Sequence, residues 1–275
     1  QLVDKSQLVT ASTLNSSAWQ IAAIFGPALG GVLYAWIGIT PTFLIVLMCI
    51  VVAACCVAYI KPKPIVSHNT GQSIGQRLSE GIKYVFNNKV ILGAISLDLF
   101  AVLFGGAVAL LPVFANEILV VGPQGLGIMR AAPSLGASIT MLWLSFSTPI
   151  KKPGVVLLFC VAAFGVSTIG FALSTSFYLS LLMLFLIGAF DSVSVVIRGN
   201  ILQLQTPDEM RGRVSAVNTM FIGSSNEIGA FESGLAAKLM GTVPSVIFGG
   251  CVTLCVVAFT SIKAPMLKKF TYPKD

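Results

Sequence analysis

Asp98, Arg130, Asp191, Arg198, Glu227 and Glu232 each fall inside an apolar stretch long enough to cross a bilayer. Ionisable groups in hydrocarbon are costly, so they default to functional readings: a proton carrier, a pathway residue or half of a buried pair. The chemistry open to a carboxylate in such a place is proton exchange. Desolvation favours its neutral form and a neighbouring Arg its charged form, so moving the Arg switches between them.

Depth sorts these groups into two roles. At 1.5 Å per residue, Asp98 and Arg198 lie roughly 9–14 Å from the cytoplasmic edge, which makes them candidates for a gating ion pair. Asp191, Arg130 and Glu227 come out about 20 Å from that edge and are the candidates for proton coupling or substrate contact. Asp191 has a second reading, structural pairing with Arg130. Asp191 and Arg198 share a helix face, because seven residues turn 700°, but about 10.5 Å of helix axis separates them and argues against a direct pair.

The elements that must hold these residues are helices in a membrane. The chain has 275 residues, 56% apolar and 10% charged. Soluble domains carry about 25% charged residues, so a water-facing surface cannot be covered here. Eight apolar stretches of membrane-spanning length are expected, at about 13–36, 39–60, 89–117, 124–148, 154–174, 177–203, 214–239 and 244–262. The fold class is all-α, polytopic, with eight transmembrane helices present.

The net charge of +7 is a topology signal and not a nucleic-acid footprint. Lys and Arg crowd every second connection: Lys5, the 61–89 loop, Lys151 and Lys152, Arg211 and Arg213, and the tail from Lys263. The alternate connections hold none. Cytoplasmic loops carry the positive charge, so both chain ends are expected in the cytoplasm.

The six cysteines lie in expected spans, and the only His, His68, lies in a loop. The cysteines read as small packing residues, and no metal or cofactor is expected. No Ser-His-Asp set or phosphate loop suggests an enzyme. The stretch "GPQGLG" (122–127) reads as an extracellular turn, because it follows a transmembrane helix and not a βαβ strand.

The chain also repeats itself. At an offset of 203 residues, Ser12/Ser215, Asn15/Asn218, Gly26/Gly229, Gly31/Gly234, Gly38/Gly241 and Pro41/Pro244 coincide. Chance would give about two such matches at average residue frequencies. Parallel repeats relate the two halves of a large transporter fold. The spacing predicts four further spans before Gln1, so the eight present would be the fifth to the twelfth. Residues 1–60 then hold the last two helices of an N-terminal bundle. Residues 61–88 form a cytoplasmic linker and residues 89–275 a six-helix bundle. Within the linker, Ile74, Leu78, Ile82 and Val85 or Phe86 share one helical face, which predicts a short amphipathic helix along the membrane surface.

The segment "AAIFGPALGG" (22–31) places Gly26, Pro27, Gly30 and Gly31 within a span. Small residues let helices approach closely, and Pro marks a kink. This segment resembles the antiporter motif in the fifth helix of drug:proton antiporters of the major facilitator superfamily, with Ala22 replacing a leading glycine. "LQLQTPDEMRGRVSAVN" (202–218) is similar to the helix 10–11 connection of the enterobactin-exporter-like branch. The loop "FSTPIKKPG" (146–154) departs from the superfamily's signature loop, lacking its Asp-Arg core.

The resemblance implies a secondary active transporter in a bacterial inner membrane. It would export a small molecule by proton-coupled alternating access, with the bilayer and the four missing helices as its further partners. The alternatives are a lipid or lysophospholipid flippase of the same fold, and a membrane scaffold or receptor that transports nothing.

Overall fold

The computed structural model describes residues 22, 26, 29, 30, 32–34, 36–59, 74–146 and 150–271. Among the described residues there is no strand. The long helices are α1 (Ile39–Ala58), α2 (Ile74–Asn87), α3 (Lys89–Phe104), α4 (Gly122–Phe146), α5 (Pro153–Leu173), α6 (Phe177–Gln205), α7 (Asp208–Met240) and α8 (Thr242–Lys263). A final turn, α9, covers Pro265–Lys268.

Four of the described helices, α1, α5, α6 and α8, are long and apolar enough to cross a membrane. Of the other four expected spans, the one at 13–36 lies largely outside the described residues, and three differ for identifiable reasons. α3 has only 16 residues, because the expected span at 89–117 breaks at Gly105–Gly106 and resumes as Leu111–Val113 and the π-helical turn Phe114–Ile118. α4 carries Arg130 and an internal Pro133, and α7 carries Glu227, Glu232 and Lys238 among its 33 residues. The expected turn at 122–127 is instead the beginning of α4. Gly122 adopts a left-handed backbone at φ 65°, and Pro123 follows it in the first turn, where its missing N–H costs little.

α3, α5 and α6 meet in one core around Leu97, Leu157, Val161, Ile197 and Ile201. A second core gathers Phe114, Met129, Phe171, Leu184 and Val246 at the other end, with the Phe114 and Phe171 rings 4.5 Å apart. Glycine sets the tightest contacts. A Cβ at Gly136 would run into the Phe185 carbonyl, and one at Gly188 into the Pro133 carbonyl, so α4 and α6 touch backbone to backbone. Gly249 likewise lets α8 lie against the Phe104 carbonyl at the end of α3. By contrast, α1 has no buried residue.

α2 meets α3 at a 101° bend. Asn88 sits at the bend and caps α3, its side chain accepting from the Val90 and Ile91 amides at 3.1 and 3.2 Å. Part of the apolar face of α2 packs against α3 and α7. Val85 is fully buried beside Val214 and Val217, with Leu78 and Ile82 packed against them, while Phe86 points outward. Gly81 allows the approach, since a Cβ there would lie 2.9 Å from the Arg213 carbonyl oxygen. The Tyr84 hydroxyl donates to the Gln205 carbonyl at 2.6 Å, and Arg213 pairs with Glu80.

Candidate functional site

α3 and α6 bring Asp98 and Arg198 together. Arg198 Nη1 meets Asp98 Oδ1, and both side chains are buried. The surrounding side chains Leu97, Ala101, Val193, Ile197 and Ile201 are apolar. Each charge therefore depends on the other, because an isolated buried ion is strongly disfavoured.

Asp191 stands about two turns before Arg198 on α6 and belongs to two cavities. The larger, about 370 Å³, lies between α3, α4, α6 and α7, with Val102, Gly105, Pro133, Gly188, Asn226 and Gly229 among its lining. The smaller, about 10 Å³, is lined by Asp191, Asp98 and Ser194 together with apolar side chains. Val102, Phe164 and Asp191 are common to both. Among the described residues, Asp191 is thus the one ionisable residue lining the large cavity, and it is also the neighbour of the Asp98–Arg198 pair.

The other sequence candidates fall elsewhere. Arg130 is solvent-accessible and lines a separate cavity of about 560 Å³ with Gly26, Gly30, Tyr34, Asn116 and Gly127. Among the described residues it makes no ion pair with Asp191, so the expected structural pairing between them is not formed. The reason is position along α4, since Pro133, one turn further along the same face, lines the large cavity while Arg130 lines the separate one. Glu227 is exposed and lines none of these cavities, whereas its neighbour Asn226 lines the large one. Glu232 is half-buried on the same helix. At Gly26 and Gly30 a Cβ would meet nothing within 4 Å, so no described part of the chain makes the close contact expected there. Pro27 and Gly31 lie outside the described residues.

Sequence reasoning passed over Ser194 and Asn226. Both sit in runs where a small polar residue reads as helix packing. Their only signal is spacing: Ser194 is one turn from Asp191, on the face that leads to Arg198.

The sequence profile of the Major Facilitator Superfamily matches residues 1–230. The enterobactin exporter EntS of Citrobacter koseri is 24% identical over 287 residues, covering 99% of this chain and 65% of that protein. EntS of Escherichia coli O1:K1 / APEC is 23% identical over 277 residues, covering 98% of this chain and 64% of that protein. The chain therefore spans just under two thirds of the length of these relatives. With a family match over most of its length and multiple apolar helices packed through glycine contacts, this multi-pass membrane chain belongs to the major facilitator superfamily.

Proposed function

We propose that this chain is the larger part of a proton-coupled exporter that moves a small molecule out of a bacterial cell by alternating access. Family membership and the exporter relatives favour transport over enzymatic chemistry. The internal repeat and the 64–65% coverage support a twelve-helix protein of which these are the fifth to twelfth helices. The alternation of basic and uncharged connections supports both ends and the 61–88 linker lying in the cytoplasm.

The observation that carries the coupling role is the position of Asp191. Among the described residues it is the one carboxylate lining the cavity of about 370 Å³, and it also borders the Asp98–Arg198 pair. In this reading Asp191 takes up and releases the coupling proton as its side of the cavity opens to each face of the membrane. The Asp98–Arg198 pair closes the cytoplasmic end and separates when that end opens. Arg130, in its own cavity, contacts substrate.

The test uses the full-length protein in everted membrane vesicles, with enterobactin, the molecule named for the relatives, as the first substrate. Uptake should follow an imposed proton gradient and collapse when an uncoupler dissipates it. Uptake that ignores the gradient would overturn proton coupling. Labelling of a Cys placed at Thr70 by an impermeant thiol reagent added outside intact cells would overturn the topology.

A further inference from the structure

The small cavity beside the ion pair contains a polar group with nothing to bond to. Ser194 is 2% exposed, and its hydroxyl has no hydrogen-bond partner among the described residues. Two other buried serines behave differently. Ser192 donates to the Ala189 carbonyl at 2.8 Å, and Ser225 to the Ile222 carbonyl at 3.0 Å. A buried hydroxyl without a partner is uncommon in a folded protein and calls for a ligand or water.

The cavity matches that requirement. At about 10 Å³ it admits a single water. A buried water needs about two to four polar partners, and Asp98, Asp191 and Ser194 all line this space. Ser194 lies three residues after Asp191 and four before Arg198, so the three share one face of α6. The remaining lining is apolar apart from the Cys160 thiol on α5. Arg130 on α4 and Glu227 and Glu232 on α7 do not line it.

We propose that Asp98, Asp191 and Ser194 form a single-water site through which a proton passes between Asp191 and the Asp98–Arg198 pair. This rests on the reading of Asp191 as the coupling carboxylate and adds the route by which its protonation reaches the gate. The protonated Asp191 carboxyl gives its proton to the water as the water gives one to the Asp98 carboxylate. The water is unchanged, Asp191 becomes the anion, Asp98 becomes neutral, and no other reactant is needed. Neutral Asp98 no longer holds Arg198 by charge, and the pair is free to part. Ser194 positions the water with its hydroxyl and so is a positioning residue.

The linkage can be read without substrate. In the full-length protein, infrared difference spectroscopy during a pH titration follows the carboxyl band that Asp191→Asn removes. The probe is the proton itself. Asp98→Asn should move the midpoint of that band by about one pH unit, the behaviour of two interacting sites. In a Ser194→Ala background the same change should move it by less than a third as much, and Ser194→Thr, which keeps the hydroxyl, should restore the linkage. An equal shift with and without the Ser194 hydroxyl would overturn the proposal, as would no shift in the wild type or no titration of Asp191. Gradient-driven transport is a separate measurement. Its persistence in Asp191→Asn would remove the coupling role whatever the infrared linkage shows.

Discussion

Arg198 and Asp98 face each other across the α3–α6 interface with almost no access to solvent. Neither charge has a second ionic partner among the described residues, so each is the other's only compensation. Replacing both with apolar groups would cost little, whereas removing one leaves a bare buried charge, at about 3–5 kcal/mol. Arg198→Ala should therefore destabilise the full-length protein by about that amount, read as a lower thermal unfolding midpoint in detergent. The exchange Asp98→Arg with Arg198→Asp should recover part of the loss. If Arg198→Ala unfolds like the wild type, the pair contributes no stability.

The α4–α6 contact depends on the absence of side chains. Gly188 lies against the Pro133 carbonyl and also lines the cavity that holds Asp191. Gly188→Val must push the two helices apart, and overpacking of this kind costs about 1–3 kcal/mol. Gly199 lies on the same helix and a Cβ there meets nothing within 4 Å, so Gly199→Ala should be nearly neutral. Thermal unfolding of the two variants side by side checks the contrast, and equal midpoints would contradict it.

Much of this packing was legible in the sequence, for reasons that differ by element. α5, α6 and α8 lie within two residues of their expected bounds, because a long apolar run in a bilayer has few alternatives to a helix. The pairing of Asp98 with Arg198 followed from depth alone. The break at Gly105–Gly106 was not legible, because glycine counts as neither polar nor apolar in a hydropathy run. The start of α4 was misread because Gly-Pro suits both a turn and the first turn of a helix. The separation of Arg130 from Asp191 could not be read either, because similar depth along the membrane normal does not say which cavity each residue lines.

The linker helix offers a different kind of test. Its ion pair, Arg213 with Glu80, is partly exposed, and such pairs contribute roughly 0–1 kcal/mol. Its close approach to α7 depends instead on Gly81 and the buried Val85. Glu80→Gln should leave amide hydrogen exchange across 78–87 nearly unchanged. Gly81→Leu should accelerate it by lifting α2 off the Arg213 carbonyl. Fast exchange in Glu80→Gln and protection in Gly81→Leu would reverse this ranking.

Depth alone leaves Asp191, Glu227 and Arg130 equivalent, but their surroundings differ. A coupling carboxylate must meet a water-accessible cavity, must lack a permanent counter-charge, and must influence the gate. Asp191 lines the large cavity, has no ion-pair partner among the described residues, and borders the small cavity that reaches Asp98. Glu227 is exposed on α7 and lines neither space, so it fails the first and third of these conditions. Arg130 holds a positive charge on a separate cavity, where it suits an anionic group. In the full-length protein, Asp191→Asn should therefore abolish gradient-driven uptake into everted vesicles while substrate exchange without a gradient persists. Glu227→Gln should retain gradient-driven uptake. Arg130→Gln should weaken apparent substrate affinity and leave the uptake that remains sensitive to an uncoupler. Loss of coupling in Glu227→Gln with coupling intact in Asp191→Asn would move the proton site to α7, and the cavity beside Arg198 would then have no part in coupling.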